Sequence, residues 1–162
     1  MSADAICPTC GMISDTKPRS GEQHRRYFGT MRALFLHWPE HHVHTGEAIE
    51  FRPQSENQLR KYLQIRAGGE YVSERLIKPT SRDKKMQYHA RLALEAALAD
   101  ADDWAEIELV PNGILVKKSK SIAYRALGHK KFCCLYNDVK EAVYALTGLD
   151  ADQVLQEQKR AA

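Results

Sequence analysis

The sequence has no long hydrophobic run and little cysteine. No stretch of about 18 consecutive apolar residues occurs among its 162 residues, so we expect no transmembrane helix and no membrane partner. The opening MSADAICPTCG lacks the basic and apolar regions of a secretory signal, which predicts a cytoplasmic protein. In that reducing compartment the four cysteines should be free thiols or metal ligands rather than disulfides.

The sequence signatures of several enzyme classes are also missing. There is no Walker loop, no GxGxxG fingerprint and no Ser/His/Asp order, so common nucleotide-binding and hydrolase motifs find no support. Hydrophobic residues make up 43% of the chain and charged residues 28%, which excludes a disordered chain, a collagen-like chain and a coiled-coil rod. Neither an internal repeat nor a low-complexity tract occurs. The length and composition fit one globular domain.

The net charge of +3 is small, and its distribution along the chain is more informative. Residues 1–77 carry a net charge of +1, residues 78–131 carry +4, and residues 132–162 carry −2. The middle of the chain is therefore where we expect an anionic partner to bind.

The spacing of apolar residues predicts an α+β fold. Spacings of three and four residues predict three main amphipathic helices, over residues 20–38, 81–99 and 129–146. Alternating residues around a Pro-Asn-Gly turn predict a β-hairpin over 105–118. We expect the three helices to pack on a small antiparallel sheet that contains this hairpin.

Shorter elements complete the prediction. A capping box at Ser55 begins a further helix, which the two glycines at 68–69 end. Short strands are predicted at 47–51, 71–77 and 121–125. Around these elements we distinguish three parts of the chain. They are an irregular leader (1–19), one α+β domain (20–148) and a frayed C-terminal tail (149–162).

The same periodicity predicts which side chains are buried. From the amphipathic stripes we expect these large residues in the core: Phe28, Phe35, Trp38, Leu135 and Val139. On the helix over 81–99 the alanines suggest close packing against another element. Its inward residues are predicted to be Met86, Ala90, Ala93, Leu94 and Ala97.

The leader carries the sharpest local motif of the chain. In CPTCG, Cys7 and Cys10 have the spacing of half a zinc knuckle. A structural zinc site needs four ligands and no second CxxC occurs, so the histidines at 37, 41, 42 and 44 are candidates to complete it. His42 and His44 lie in a predicted loop and are freer to converge. The predicted zinc ligands are therefore Cys7, Cys10, His42 and His44. The alternative is a solvent-exposed histidine loop and two free thiols.

The histidine tract HHVH also raises a metal-dependent nuclease as a third hypothesis. A ββα-metal nuclease uses a histidine base, a second histidine that binds the metal and usually an asparagine. Asn57 lies near the start of the second helix, but no histidine follows it on that helix. The hypothesis therefore rests on a histidine-rich tract alone.

The densest positive run is KKSKSIAYRALGHKK, residues 117–131. It combines cations with serine hydroxyls and a tyrosine, as single-stranded nucleic acid requires for phosphate contacts and base stacking. The helix over 20–38 offers further cations away from its apolar stripe. The candidate nucleic-acid-binding residues are Lys117, Lys118, Lys120, Tyr124, Arg125, Lys130 and Lys131, with Arg25, Arg26 and Arg32 as a second wall of a groove. The alternative is an edge strand protected by lysines.

Two stretches carry a family resemblance: RSGEQHRRYFGTMRALFLHW (19–38) and SKSIAYRALGHKKFCCLYNDVKEAVYAL (119–146). Together with QLRKYLQIRAGG between them, they resemble a family of small phage-encoded proteins known as a domain of unknown function. The opening of the first stretch is also similar to that of the NinB/Orf recombination proteins of lambdoid phages. The CPTCG leader and the HHVH loop depart from both families.

The resemblance implies a phage DNA-metabolism or recombination accessory protein in the cytoplasm of the host cell. Such a protein would bind single-stranded DNA and a host replication protein, such as the single-strand-binding protein. The alternative is a counter-defence or host-takeover protein that acts only by binding another protein, for example a defence protein. A catalytic activity and the oligomeric state are left open by the sequence.

Overall fold

A computed structural model describes residues 21–78, 83–123 and 127–161 of the chain. These residues form five α-helices, three β-strands and a short 3-10 turn. In chain order they are α1 (Gly21–Leu36), α2 (Glu56–Ala67), the 3-10 turn (Gly69–Tyr71), β1 (Val72–Ile77), α3 (Lys84–Asp100), β2 (Ala105–Val110), β3 (Gly113–Ser119), α4 (His129–Thr147) and α5 (Ala151–Ala161).

The chain forms two compact units rather than the one domain expected over 20–148. The helical unit runs up to Pro53 and resumes at Ser121, and it contains α1, α4 and α5. The sheet unit is the segment Gln54–Lys120, and it contains α2, α3 and all three strands.

Aromatic rings fill the centre of the helical unit. Tyr27 of α1 is fully buried, and its ring meets those of Phe132 and Tyr136 on α4 edge-on, with ring centroids 5.2 and 5.6 Å apart. The third helix, α5, packs against both α1 and α4. We expected this C-terminal segment to fray, but it folds because Val154 and Leu155 are buried.

The sheet unit is built on an antiparallel sheet with the strand order β1-β3-β2. The predicted hairpin joins β2 to β3 through a turn at Pro111-Asn112. Ile107 of β2 lies opposite Val116 of β3, and both pack with Leu98 of α3 in one buried cluster. The helices that contact the sheet within this unit are α2 and α3.

The start of α2 is fixed by its own sequence and by the loop that precedes β2. Ser55 caps the helix by accepting the backbone N–H of Gln58 at 3.1 Å. In return, the Gln58 side chain accepts the N–H of Gln54, at 3.2 Å. The amide of Asn57 donates to the carbonyl of Asp102 at 2.7 Å, which holds α2 to the α3–β2 loop.

The predicted α+β class, with its antiparallel sheet and hairpin, is confirmed. The prediction placed three helices on the sheet, those now labelled α1, α3 and α4. Instead, α2 and α3 contact the sheet, and α1 and α4 pack with α5. Residues 72–77 are extended as expected, whereas Tyr71 belongs to the 3-10 turn. Two predicted strands are not formed: 47–51 contributes only an isolated bridge between His41 and Ala48, and residues 121–123 are irregular.

Two groups of predicted core residues are exposed. Leu135 and Val139 are fully buried as predicted, and Phe35 and Trp38 are half-buried, but Phe28 is 36% exposed. On α3 the predicted inward position of Leu94 is confirmed, since it packs partly buried against the sheet cluster, but the other four predicted positions are exposed. The sheet is contacted by the face that carries Leu98, so Met86 is 59% exposed and the alanines at 90, 93 and 97 face solvent.

No helix in the described part of the chain is long and apolar enough to cross a membrane.

Candidate functional site

One exposed face of α1 combines cations with an aromatic ring. Arg25, Phe28 and Arg32 follow one another at spacings of three and four residues, so they lie in one row along the helix. We call these three residues the α1 stripe. All three side chains are exposed. The ring of His24 lies against that of Phe28, with 4.5 Å between the ring centroids, so Phe28 extends a two-ring surface beside the two guanidinium groups.

The opposite face of α1 explains why this stripe points outward. Tyr27, Met31 and Leu34 are buried. They follow one another at spacings of four and three residues, so they form a second row along the helix, turned away from the α1 stripe. A helix can bury only one side against its neighbours in a unit of this size. Phe28 was predicted to be buried from the spacing of apolar residues, but its position places it among the arginines.

Arg26 forms an ion pair within the protein, whereas the sequence predicted that it binds nucleic acid. Its guanidinium group forms an ion pair with Asp152 of α5, with 2.9 Å between Nη2 and Oδ1. The other carboxylate oxygen accepts a hydrogen bond from Lys140 of α4 at 3.0 Å. Arg26 therefore helps to join α1 to α5, and part of its charge is compensated within the protein.

The N-terminal end of α4 supplies a second positive group in the helical unit. Lys130 and Lys131 are exposed in the first turn of α4, and no acidic residue lies in that turn. Gly128 is the N-cap residue and has no side chain with which to cap the helix. Lysines beside the positive end of a helix dipole favour an anion. A 3.2 Å hydrogen bond from Gln23 to Cys133 holds the first turns of α1 and α4 together.

Lys117 and Lys118 lie in the sheet unit and have carboxylates as neighbours. They belong to β3, which continues to Ser119 and is the central strand, so the edge strand considered from the sequence is not formed here. Lys117 lies directly opposite Glu74 of β1 and Glu106 of β2. Residues opposite one another in neighbouring strands share a face of the sheet, so Lys117 lies beside two glutamates, of which Glu106 also forms an ion pair with Arg66 at 3.6 Å.

Asp103 compensates the charge of the second lysine, Lys118. Its carboxylate accepts hydrogen bonds from Lys61 and from the backbone N–H of Trp104, and Lys118 Nζ lies 3.5 Å from Oδ2. Burial alone would raise the pKa of this carboxyl, but these donors outweigh it and hold the pKa below its ordinary value. The carboxylate therefore stays ionised. Lys120 is exposed just after β3, where its backbone pairs with Tyr71 and Gln64.

The predicted groove is thus divided between the units. The helical unit holds Arg25, Arg32, Lys130 and Lys131 as exposed cations, together with the ion-paired Arg26. The sheet unit holds Lys117, Lys118 and Lys120. Tyr124 and Arg125 lie outside the described residues.

The predicted zinc ligands are only partly described. Cys7 and Cys10 lie outside the described residues, and within 21–78, 83–123 and 127–161 no three His, Cys, Asp or Glu side chains are grouped to hold a metal. His42 and His44 do come together, with ring centroids 5.8 Å apart. However, His42 Nδ1 accepts the backbone N–H groups of His44 and Thr45, at 3.3 and 3.2 Å. That arrangement places the ring proton on Nε2, so His42 would have to change its bonding to ligate zinc.

Sequence reasoning missed Phe28 and His24 as parts of the exposed site. The signal was present in the spacing, because Phe28 lies three residues after one arginine and four before another. The spacing of apolar residues along the helix had instead placed Phe28 in the buried stripe.

No protein-family model, no curated protein and no solved structure matches this chain.

Proposed function

We propose that the protein binds single-stranded DNA through the α1 stripe and the N-terminal end of α4. The observation that carries the proposal is the exposed ring of Phe28 between Arg25 and Arg32. Single-stranded DNA is bound where cations contact phosphates and exposed rings stack on bases. The two lysines at the start of α4 extend the positive charge within the same unit.

In this proposal the protein is an accessory factor in phage DNA metabolism or recombination, and it acts in the cytoplasm of the host cell. A host replication protein, such as the single-strand-binding protein, is the accompanying protein partner. The family resemblance of residues 19–38 and 119–146 supports this context. Lys117 and Lys118, which lie beside carboxylates, contribute less than the sequence suggested.

The test is the fluorescence anisotropy of a labelled oligothymidine and of a duplex of equal length, titrated with the full chain at low salt. We expect the single strand to bind more tightly than the duplex. Replacing Arg25 and Arg32 by Ala should weaken binding markedly. The matched control is K159A/R160A, which removes two exposed cations from α5 and should bind like the parent chain.

Three results would contradict the proposal. Absence of binding at low salt would favour the alternative, a counter-defence or host-takeover protein that binds only protein. Cleavage of the oligonucleotide on addition of a divalent metal would favour the nuclease hypothesis. Equal losses in the stripe variant and in the α5 control would mean that binding follows net charge and not this face.

A further inference from the structure

The sheet unit has a groove lined by both polar and aliphatic residues, none of which belongs to the proposed DNA site. It lies where the C-terminal end of β1, the β2–β3 turn and the first turn of α3 meet. Its apolar lining is aliphatic and includes Leu76, Leu109, Val110 and Pro111. Leu76 is 42% exposed and Leu109 is 38% exposed, so two large side chains here keep much of their surface in water.

Strand register explains why this end of the sheet is open. Ile77 of β1, Ile114 of β3 and Leu109 of β2 form one cross-strand row. The central residue of the row is buried, but the two outer ones are exposed. The cover that α3 provides is centred on Leu98, near the other end of the helix. Apolar surface is therefore left at the end where α3 begins.

The groove has uncompensated positive charge at its rim. Lys78 and Lys84 line it, and Lys85 follows in the same turn of α3. None of these three lysines has an ion-pair partner among the described residues, whereas Lys61 and Lys118 in the same unit share Asp103. The nearby carboxylate of Asp83 caps α3 by accepting the N–H of Lys85 at 2.9 Å.

We propose that this groove binds an acidic segment of a partner protein, in which carboxylates flank an aliphatic or aromatic side chain. The lysines attract the carboxylates, and the aliphatic lining accepts the apolar side chain. Among the residues that the structure describes, the groove lining contains no aromatic ring, so this lining offers no stacking surface of the kind that holds single-stranded nucleic acid. Charge complementarity and an apolar floor together favour a peptide.

The experiment uses the full chain and three fluorescein-labelled peptides of equal length. The first alternates pairs of Asp with single Leu or Phe residues. The second has Ser in place of Leu and Phe, and the third has Asn in place of Asp. We expect only the first peptide to bind well.

K78E/K84E should weaken the binding of this first peptide by about tenfold or more. K159E/R160E, which reverses two exposed charges on α5, should leave its binding unchanged. Both changed positions of the test variant are exposed, so its melting curve should match that of the parent.

Three outcomes would overturn the proposal. If the first peptide does not bind, the groove is not a site for acidic apolar segments. If the Ser peptide binds as well, the surface attracts charge without using its apolar floor. If oligothymidine displaces the peptide and K78E/K84E weakens both ligands alike, the groove is an anion surface that nucleic acid also occupies. Loss of DNA binding in R25A/R32A with peptide binding retained would separate this site from the proposed function.

Discussion

The ionised carboxylate of Asp152, on α5, binds side chains of α1 and α4. The packing of these three helices therefore depends on its protonation state. The carboxylate accepts hydrogen bonds from Lys140, from Arg26 and, at 3.4 Å, from the hydroxyl of Tyr136. Burial alone would raise the pKa of this carboxyl, but the hydrogen bonds from Lys140 and Arg26 outweigh it and lower the pKa. A carboxyl whose pKa is lowered in the folded state stabilises that state above the pKa of the unfolded chain, about 3.9. This stabilisation is lost as the pH falls through the pKa of the folded state.

We therefore predict that Asp152→Asn lowers the free energy of unfolding by about 1–2 kcal/mol at neutral pH, because two cations lose a partly buried partner. The difference from the parent chain should begin to shrink as the pH falls below about 3.9, and it should disappear only below the lowered pKa of the folded state, where the parent also becomes protonated. Urea denaturation at a series of pH values measures this. Glu141→Gln, on the exposed side of α4, is the matched control and should change little. A pH-independent deficit in the Asp152 variant would contradict the electrostatic account.

At the scale of elements, the histidine loop is anchored to the end of α4. The N–H of Val43 donates to the carbonyl of Thr147 at 2.8 Å, and the rings of His42 and His44 approach Gly148. Gly148 ends α4 with a φ of +76°, a left-handed conformation that side chains disfavour. A Cβ atom added there would lie 2.9 Å from His44 Cδ2 and 3.1 Å from His42 Cε1.

Gly148→Ala should therefore destabilise the protein by about 1–3 kcal/mol, through backbone strain and displacement of the loop. Gly128→Ala at the other end of α4 is the matched control. Its φ is −64° and nothing lies within 4 Å of the added Cβ, so its cost should stay below about 1 kcal/mol. Thermal melting of both variants compares them. Equal melting temperatures would mean that the loop does not pack on Gly148.

Zinc binding by the leader and this loop stays a prediction. We expect protein purified without chelator to contain about one zinc per chain, held by Cys7 and Cys10 with His42 and His44. Metal analysis measures it, and Cys7→Ser/Cys10→Ser should lose the metal while Cys134→Ser, at an exposed thiol of α4, should keep it. A zinc content near zero, with unchanged melting in chelator, would contradict the prediction.

The local sequence predicts the positions of the helices and strands far better than it predicts which face of each element is buried. The Ser55 cap and the Pro-Asn-Gly turn were readable because each depends on a few adjacent residues. The inward face of α3 was readable only at Leu94, because alanines fit either side of a helix and the leucines at 94 and 98 are the residues that show which side meets the sheet. The roles of Arg26 and Lys118 depend on acids far away in sequence, and spacing carries no information about such partners.

At the scale of the whole molecule, net charge is a poor guide to where an anion binds. The densest basic run of the sequence divides between two units, and carboxylates of β1, β2 and the loop before β2 surround two of its lysines. The α1 stripe has fewer cations, but they lie beside an exposed ring. The arrangement of charge and aromatic surface, and not the number of cations, therefore selects the candidate DNA site.

The most direct test of this claim is the dependence of oligothymidine affinity on salt concentration, measured by anisotropy for the parent and three variants. Each phosphate contact on a single strand contributes about 0.7 to the slope of log affinity against log salt, so R25A/R32A should flatten the slope by about 1.4. Phe28→Ala should weaken binding by about 1–3 kcal/mol and keep the parent slope, because stacking releases no counterions. K117A/K118A/K120A should change affinity and slope less than R25A/R32A. Parent-like binding by R25A/R32A, with a flattened slope in the triple lysine variant, would contradict the account.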